Sequence, residues 1–362
     1  MPAGIEDVAA YAGVSTATVS RALRGLPNVS EATRQRVLEA AEALDYVMSP
    51  SASRLASGTT RSIGVVAPYI GRWFFGQLLS GIESVLRESG YDMLLFALPD
   101  DESQSQFFER MPLKRRVDAV MVLTLAMSSQ EDERLRQLGV PMVTVGDPLA
   151  GVFGVGIDDA AAARTATAHL INLGHERIAM IGGGSGGPAR FAAPLERQRG
   201  YREALTDAGL EIVEAYEVDG LYTVEGGAAA MAQLLALPKP PTAVFAQSDE
   251  MAAGAIKTMR RMGLRYPEDV SIVGFDDHEI AGILDLTTIR QPVLDQGRVA
   301  AQHLIDSLNN GAGDCTRRDV PTQLIVRSST CPPPQTRSGR PMNSRHQTGN
   351  EPLRRPRTGE KR

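Results

Sequence analysis

The chain has 362 residues, of which 43% are hydrophobic, and it carries a formal charge of −5 at pH 7. This length exceeds one small domain and predicts two or three compact units. The chain contains no run of roughly 18 apolar residues and no secretory leader, which predicts a cytoplasmic protein without a membrane partner. Its two cysteines, Cys315 and Cys331, do not have the spacing of metal ligands. The sequence motifs with which nucleotide-dependent enzymes bind phosphate are also missing. We therefore expect no structural disulfide, no metal and no cofactor.

Residues 5–24 have the pattern of two short helices joined by a turn. Apolar residues recur at helical spacing until Gly13 interrupts the pattern, and Ser15 can then cap a second helix. A helix-turn-helix places such a second helix in the major groove of DNA, with its first residues against base edges. The pattern predicts a DNA-binding domain over residues 1–47, although a helical hairpin in an all-α subdomain has the same periodicity.

Charge is distributed unevenly along the chain. Residues 1–61 contain six arginines and six acidic residues, whereas residues 331–362 carry +6, so that residues 62–330 carry −11. An acidic body is repelled by DNA, and only the N-terminal domain is expected to approach it in the nucleoid. The final segment, 331–362, is rich in Pro, Arg, Ser and Gly, and it is predicted to be a disordered basic tail.

Residues 48–60 have the composition of a linker but contain a helix start, with Ser49 as a cap and Pro50 at the first position. A helix this short is unstable alone in water, so we expect it to need a partner. We interpret the segment as a hinge helix or linker.

From Ser62 onward, apolar strands alternate with amphipathic helices. The predicted strands span residues 63–68, 91–98, 119–123, 142–145, 178–181, 243–246 and 270–274. Such alternation predicts an α/β fold of parallel, doubly wound sheets covered on both faces. About 270 residues exceed the usual size of one sheet, which favours two lobes with a cleft between them.

Five motifs in order carry a resemblance to a known family. They are residues 7–21 (DVAAYAGVSTATVSR), 52–56 (ASRLA), 173–178 (LGHERI), 197–201 (RQRGY) and 274–277 (GFDD). The chain resembles the LacI/GalR family of transcriptional regulators over roughly residues 5–330. The resemblance implies a homodimer or tetramer that binds operator DNA, and a core similar to periplasmic sugar-binding proteins over residues 61–330. It also implies a first lobe near 61–158 and 291–318, and a second near 159–290 and 319–330.

The resemblance assigns DNA contacts residue by residue. Thr16, Ala17 and Arg21 match base-reading positions, and an arginine can hold a guanine edge with two hydrogen bonds. Thr18 and Ser20 are better placed for phosphates, which position the helix without reading sequence. Arg24 faces outward and is a further expected DNA-binding residue. Leu55 matches an apolar wedge that enters the minor groove. Met48 stands where the family often has a proline, so the hinge helix can start differently here.

The resemblance also implies a small-molecule effector, expected to be a sugar, bound in the cleft. Arg197 and Asp276 match residues that form hydrogen bonds with ligand hydroxyl groups. An aromatic side chain can pack against the apolar face of a sugar ring. The expected effector-binding residues are Trp73, Phe74, Arg197, Tyr222, Ser248 and Asp276. We expect one of Trp73 and Phe74 to face the core instead. Asp147 and Asp158 are further candidates, and Asp277 is either a site residue or a helix cap.

Together these features predict a repressor of carbohydrate uptake or catabolism genes that is not an enzyme. A regulator of the same architecture that responds to a nucleobase or nucleoside is the alternative. A hydrolase is a more distant one, because residues 183–187 (GGSGG) match G-x-S-x-G with Ser185 as nucleophile. That loop is nearly all glycine, so any such spacing would match, and no helix is predicted to start directly behind Ser185.

Overall fold

A computed structural model describes residues 3–46, 59–184, 192–311 and 315–334. Most of the predicted hinge, including Leu55, lies outside the described residues, as do Ser185 and most of the predicted tail.

The N-terminal domain is formed by α1 (Ile5–Ala12), α2 (Thr16–Leu23) and α3 (Glu31–Ala43). Val8, Val19 and Val37, one from each helix, are fully buried at its centre. The hydroxyl of Ser15 accepts a hydrogen bond from the backbone N–H of Thr18 at 3.2 Å and so caps α2. The predicted helix-turn-helix is therefore present, with its cap at the predicted residue.

Strands and helices alternate through the rest of the described chain. The strands are β1 (Ser62–Ala67), β2 (Asp92–Ala97), β3 (Ala119–Leu123), β4 (Met142–Val145), β5 (Phe153–Gly156), β6 (Ile178–Gly182), β7 (Glu217–Asp219), β8 (Ala243–Ala246), β9 (Ser271–Asp276), β10 (Thr287–Arg290), β11 (Arg317–Asp319) and β12 (Gln323–Ile325). The helices are α4 (Trp73–Glu88), α5 (Asp101–Arg110), α6 (Ser129–Arg136), α7 (Asp159–Asn172), α8 (Ala192–Asp207), α9 (Val224–Leu235), α10 (Asp249–Arg261), α11 (Glu279–Ile283) and α12 (Val293–Asn310), with a short 3-10 helix at Glu214–Tyr216.

Two six-stranded sheets form two lobes. Lobe 1 has the order β11-β5-β4-β3-β1-β2, and all its strands are parallel. Lobe 2 has the order β12-β10-β9-β8-β6-β7, in which only β12 is antiparallel to its neighbour. The chain crosses between lobes after β5, after β10 and after β11. The predicted two-lobed α/β fold is confirmed, and each predicted strand is present with ends shifted by at most two residues.

Apolar clusters cover both faces of each sheet, as expected for buried parallel strands. Every residue of β1 and β3 is buried. Among the described helices, none has both the length and the apolar character that a bilayer-spanning segment requires.

Helices α4 and α12 pack against each other through glycines. A Cβ atom on Gly297 would collide with the carbonyl oxygen of Leu78, and one on Gly81 would collide with that of Leu294. The two backbones are therefore close enough that only glycine fits at the crossing. This contact fixes α4, whose first residues border the cleft between the lobes.

The ordered chain continues past the predicted start of the tail. The carbonyl oxygen of Cys331 accepts a hydrogen bond from Nε2 of buried His175 at 2.8 Å. The backbone N–H of Cys331 donates to the hydroxyl of Ser271 at 3.0 Å. Ser329 is fully buried. Placing the start of disorder at residue 331 was therefore wrong, because these backbone groups pair with buried polar side chains of lobe 2. Residues 335–362 lie outside the described residues.

The tight helix crossing predicts that Gly297→Ala destabilises lobe 1. An added methyl group has to push α4 and α12 apart, so we expect a loss of about 1–3 kcal/mol in the free energy of unfolding. Urea denaturation of the purified protein would measure it. Gly76→Ala is the matched control, because Gly76 lies in α4 with open space around its Cβ position, and it should be neutral or stabilising. Equal stability of Gly297→Ala and wild type would contradict the proposed crossing.

Candidate ligand cleft and nucleic-acid interface

A cleft lies between the two lobes at the carboxyl ends of the strands, where open α/β sheets bind ligands. Counted together with its solvent-open mouth, it has a volume of about 620 Å³. Its lining residues are Arg72, Trp73, Phe74, Phe75, Thr124, Ala193, Arg197, Tyr222, Ser248, Glu250, Asp276, His278 and Gln291. The structure thus brings together all six residues expected to bind an effector.

Arg197 is the most constrained side chain of the cleft, and it is only 5% exposed. Its Nε donates to Oδ1 of Asp159 at 2.7 Å, and its Nη1 donates to the carbonyl oxygen of Gln247 at 2.6 Å. Burial alone would lower the pKa of Arg197, but the carboxylate of Asp159 raises it above the ordinary value. Among the described residues Nη2 has no partner, so it is the nitrogen best placed to donate to a ligand.

Asp276 ends β9 and faces Arg197 across the cleft floor. Its Oδ1 accepts a hydrogen bond from Nε2 of Gln291 at 2.6 Å. Burial raises the pKa of Asp276 to about 7, although the charge of Arg197 opposes this shift. The carboxylate form can accept hydrogen bonds from ligand hydroxyl groups.

Backbone strain concentrates at the cleft. Thr124, Tyr222 and Asp276 have φ values of 41°, 54° and 113°, in a region that non-glycine residues rarely adopt. Each residue lies at or just beyond the end of a strand, after β3, after β7 and in β9. Such conformations persist only where surrounding structure enforces them, and they are typical of binding sites.

Aromatic side chains form one wall of the cleft. Trp73 and Phe74 are both half-buried and both line it. Both also pack against the apolar core of lobe 1, beside Phe75, which is 5% exposed. The expected core contact is therefore present, and both residues make it while lining the cleft. Burial raises the pKa of Tyr222, so its hydroxyl group stays protonated and can donate to a ligand.

Ser248 and the neighbouring Asp249 hold in place the segments that form the cleft. The hydroxyl of Ser248 accepts from the N–H of Met251 at 3.2 Å and caps α10, which leaves its proton free for donation. Asp249 is fully buried and accepts from the hydroxyl of Thr288 at 2.7 Å and from the N–H of His278 at 2.8 Å. Asp249 therefore ties the start of α10 to the segment after β9.

The other acidic candidates have different roles. Asp277 is bound by Arg290 at 2.6 Å and by Arg327 at 2.7 Å, and the helix cap of α11 is the side chain of His278. Asp277 is therefore neither that cap nor a lining residue of the cleft. Asp147 and Asp158 border an adjoining depression that is open to solvent. Asp158 caps α7, and Asp147 accepts from the N–H of Ala192 in lobe 2 at 3.0 Å.

Several lining residues were not among the predicted site residues, notably Arg72, Thr124, Glu250 and Gln291. Thr124 directly follows the predicted strand β3, so its position at a carboxyl end was a usable signal. Gln291 follows β10, a strand that the sequence pattern did not predict. Burial raises the pKa of Glu250, which therefore holds a proton more readily than an exposed glutamate.

Of the described residues expected to contact DNA, all lie on α2 except Arg24, which caps its C-terminal end. Thr16, Ala17 and Arg21 are exposed, whereas Thr18, Ser20 and Arg24 are half-buried. The domain's basic residues do not all face solvent, because Arg34 of α3 donates to the carbonyl oxygens of Ala22 and Leu26 at 2.8 and 3.0 Å. Leu55 lies outside the described residues.

Replacing Asp276 by Asn should change how stability depends on pH. Because the pKa of Asp276 is about 7 in the folded protein, against 3.8 ordinarily, the folded state binds more protons than the unfolded state between these values. The group therefore lowers the free energy of unfolding as pH rises through that window. We expect the melting temperature of Asp276→Asn, relative to wild type, to be at least about 2 °C more favourable at pH 8 than at pH 5.

Differential scanning calorimetry at both pH values would measure this change. Asp306→Asn is the control, since Asp306 lies on the exposed part of α12 and shares only a hydrogen bond with Gln302. A pH-independent difference between Asp276→Asn and wild type would show that Asp276 titrates normally.

Two family models match the chain. The model of bacterial regulatory proteins of the lacI family matches residues 4–49, and that of the periplasmic binding protein-like domain matches residues 167–330. The HTH-type transcriptional repressor CytR of Escherichia coli K12 is 36% identical over 332 residues, which cover 91% of this chain and 96% of CytR. The HTH-type transcriptional regulator CelR of Thermobifida fusca is 35% identical, with 90% of this chain and 97% of CelR covered.

Solved structures agree with these matches. The complex of the transcriptional regulator CelR with cellobiose has a TM-score of 0.68 and 34% identity, covering 90% of this chain and 99% of CelR. The lac repressor dimer bound to operator and the anti-inducer ONPF has a TM-score of 0.81 and 25% identity, covering 91% and 100%. The identity of the relatives over nearly the whole length, together with the helix-turn-helix and the two-lobed core, shows that this chain belongs to the LacI family of bacterial transcriptional regulators.

Proposed function

We propose that this protein is a repressor whose affinity for operator DNA is controlled by a sugar bound in the cleft. The observation that carries the proposal is the convergence of Arg197, Asp276 and the half-buried Trp73 on one cavity. The arginine can donate to a hydroxyl, the carboxylate can accept from one, and an indole ring can cover the apolar face of a sugar ring. Recognition of a polyhydroxyl ligand needs these three elements together.

The charges around the cleft favour an uncharged ligand. Arg197 is neutralised by Asp159, and the guanidinium of Arg72 lies 4.0 Å from the ring centre of Tyr69. No lysine lines the described part of the cleft, and Glu250 and Asp276 add acidic groups. A phosphorylated sugar would have to approach these carboxyl groups, and the cations in the described lining that could receive it are Arg72 and Nη2 of Arg197. Two structurally similar regulators have been solved with sugars bound, one with cellobiose and one with ribose.

A nucleoside is the second candidate ligand. Its ribose offers the same hydroxyl groups to Arg197 and Asp276, and its flat base could stack on Phe74 or Tyr222. The aromatic wall is the observation that favours it. We infer no catalytic role, because the relatives are regulators of transcription.

We propose that α2 reads the operator through exposed Thr16 and Ala17 in its first turn and exposed Arg21 in its last turn. Thr18, Ser20 and Arg24 would contact phosphates and fix the helix in the groove. The half-buried position of Thr18, whose hydroxyl lies 2.9 Å from that of Ser15, suits a residue that positions rather than reads. Leu55 would add a minor-groove wedge in the hinge.

A homodimer is the assembly we propose for binding a two-part operator. Some large apolar side chains of both lobes reach the surface, among them Leu95, which is 36% exposed. Leu95 lies on β2, the edge strand of lobe 1. The lac repressor is a dimer in its operator complex. A ligand that binds one arrangement of the lobes more tightly would shift the equilibrium between arrangements by the difference in its binding free energies. A difference of a few kcal/mol is enough to change which arrangement of the dimer predominates.

Arg21→Ala should weaken operator binding by about 10- to 100-fold, because a bidentate contact to a base contributes about 1–3 kcal/mol. The probe is the DNA fragment that the wild-type protein enriches from genomic DNA, measured by gel shift at fixed salt. Arg36→Ala is the control, as Arg36 is exposed on α3 away from the predicted reading positions. An undiminished affinity of Arg21→Ala for that fragment would exclude Arg21 as a reading residue.

Arg197→Lys should weaken effector binding at least about tenfold while the protein stays folded. Lysine keeps the charge next to Asp159 but loses the planar fork that can hold two hydroxyl groups. Thermal shift with cellobiose, ribose, other sugars and nucleosides would first identify the ligand, and calorimetry would give the two affinities. Arg199→Lys is the control, since Arg199 lies two residues further along α8 and pairs with exposed Glu196 and Glu203. Wild-type affinity of the Arg197→Lys variant would refute this role for the cleft arginine.

A further inference from the structure

One hydrogen bond joins the lobes at the mouth of the cleft. Nε1 of Trp73, the first residue of α4 in lobe 1, donates to Oε2 of Glu279, the first residue of α11 in lobe 2, at 2.9 Å. The ring of His278 lies beside the indole, with centroids 4.8 Å apart and planes inclined by 36°. Trp73 is the single tryptophan of the chain.

We infer that Glu279 is a positioning residue that holds Trp73 across the cleft mouth, with His278 stacked on its ring. We call Trp73, His278 and Glu279 the inter-lobe clasp. An indole nitrogen can only donate, so an acceptor on the opposite lobe fixes both the rotation of the ring and the separation of the lobes. Glu279 does not line the cleft and would act on a ligand only through Trp73.

Both sides of the clasp are anchored to rigid structure. On lobe 1, Trp73 begins the helix whose backbone crosses α12 through Gly81 and Gly297. On lobe 2, the N–H of His278 donates to buried Asp249 at 2.8 Å, and Nδ1 of His278 accepts from the N–H of Ile280 at 2.9 Å. Separation of the lobes would therefore break the hydrogen bond of the clasp, because Trp73 is held in lobe 1 and the segment of His278 and Glu279 is held in lobe 2.

The clasp stabilises the arrangement of the lobes seen in the structure, here called closed, by a limited amount. The side chain of Glu279 is 71% exposed and that of His278 is 21% exposed, so water competes for the hydrogen bond. A hydrogen bond of this kind changes the ratio of closed to open molecules by about two- to tenfold. A second contact between the lobes, from the N–H of Ala192 to Asp147 at 3.0 Å, remains when the clasp is broken.

The clasp has a consequence for regulation that rests on the proposed function. A ligand that binds only the closed cleft has an apparent affinity equal to its intrinsic affinity multiplied by the fraction of closed molecules, so the clasp raises the apparent affinity by raising that fraction. The position of Trp73 as a wall of the site would then depend on a residue outside the site. The clasp itself requires neither DNA nor ligand, and it can be tested without them.

Intrinsic fluorescence of the full-length protein tests the inference, because all tryptophan emission comes from Trp73. We compare acrylamide quenching constants and emission maxima of wild type, Glu279→Ala and Glu279→Gln at neutral pH. The alanine variant should be quenched about twofold or more strongly and should emit at longer wavelength. The glutamine variant keeps a carbonyl acceptor and should recover at least half of the difference.

Glu225→Ala is the matched control. Glu225 is an exposed acid in the first turn of α9, also in lobe 2, so its removal reproduces the lost interaction with a helix dipole but leaves Trp73 untouched. Circular dichroism and melting curves would establish that each variant folds. Wild-type quenching in Glu279→Ala would overturn the inference. So would a glutamine variant that matches alanine, or an equal change in Glu225→Ala.

Discussion

The buried guanidinium of Arg197 is the group around which lobe 2 is arranged. Transferring an isolated charge into the interior costs several kcal/mol, so the fold has to supply a counter-charge and acceptors. Asp159 supplies the charge from α7, and the Gln247 carbonyl accepts from beyond β8. Gly200 makes this possible, because a Cβ there would collide with the carbonyl oxygen of Ala160 and hold α8 away from α7. A glycine one turn beyond the arginine therefore permits its ion pair.

The sequence predicts the fold better than it predicts the site. Strands such as β1 and β3 are apolar throughout because both faces are buried, and that composition is visible without a structure. β11 consists of Arg317, Arg318 and Asp319, all exposed, and hydrogen bonding alone makes it a strand. Apolar periodicity therefore could not reveal it.

For the site, the motifs indicated Arg197 and Asp276, but they could not show which side chains converge from separate loops. The positive φ of Tyr222 and the lobe-to-lobe bond of Glu279 arise from contacts between segments far apart in sequence. Likewise, three consecutive aromatic residues begin α4, and only the direction of that helix decides that Phe75 enters the core. These features depend on how distant segments pack in the folded chain, and amino-acid composition does not determine that packing.

The order of the strands also sets the order in which the protein can fold during synthesis. Lobe 1 gains its edge strand β11 only after residue 319 has been made, and lobe 2 gains β12 and the buried Ser329 shortly afterwards. The N-terminal domain, by contrast, is continuous and complete by residue 46. A nascent chain therefore possesses its DNA-reading helices long before either half of the sensing core is complete. During that interval the domain that contacts DNA is not yet linked to a core that can control it.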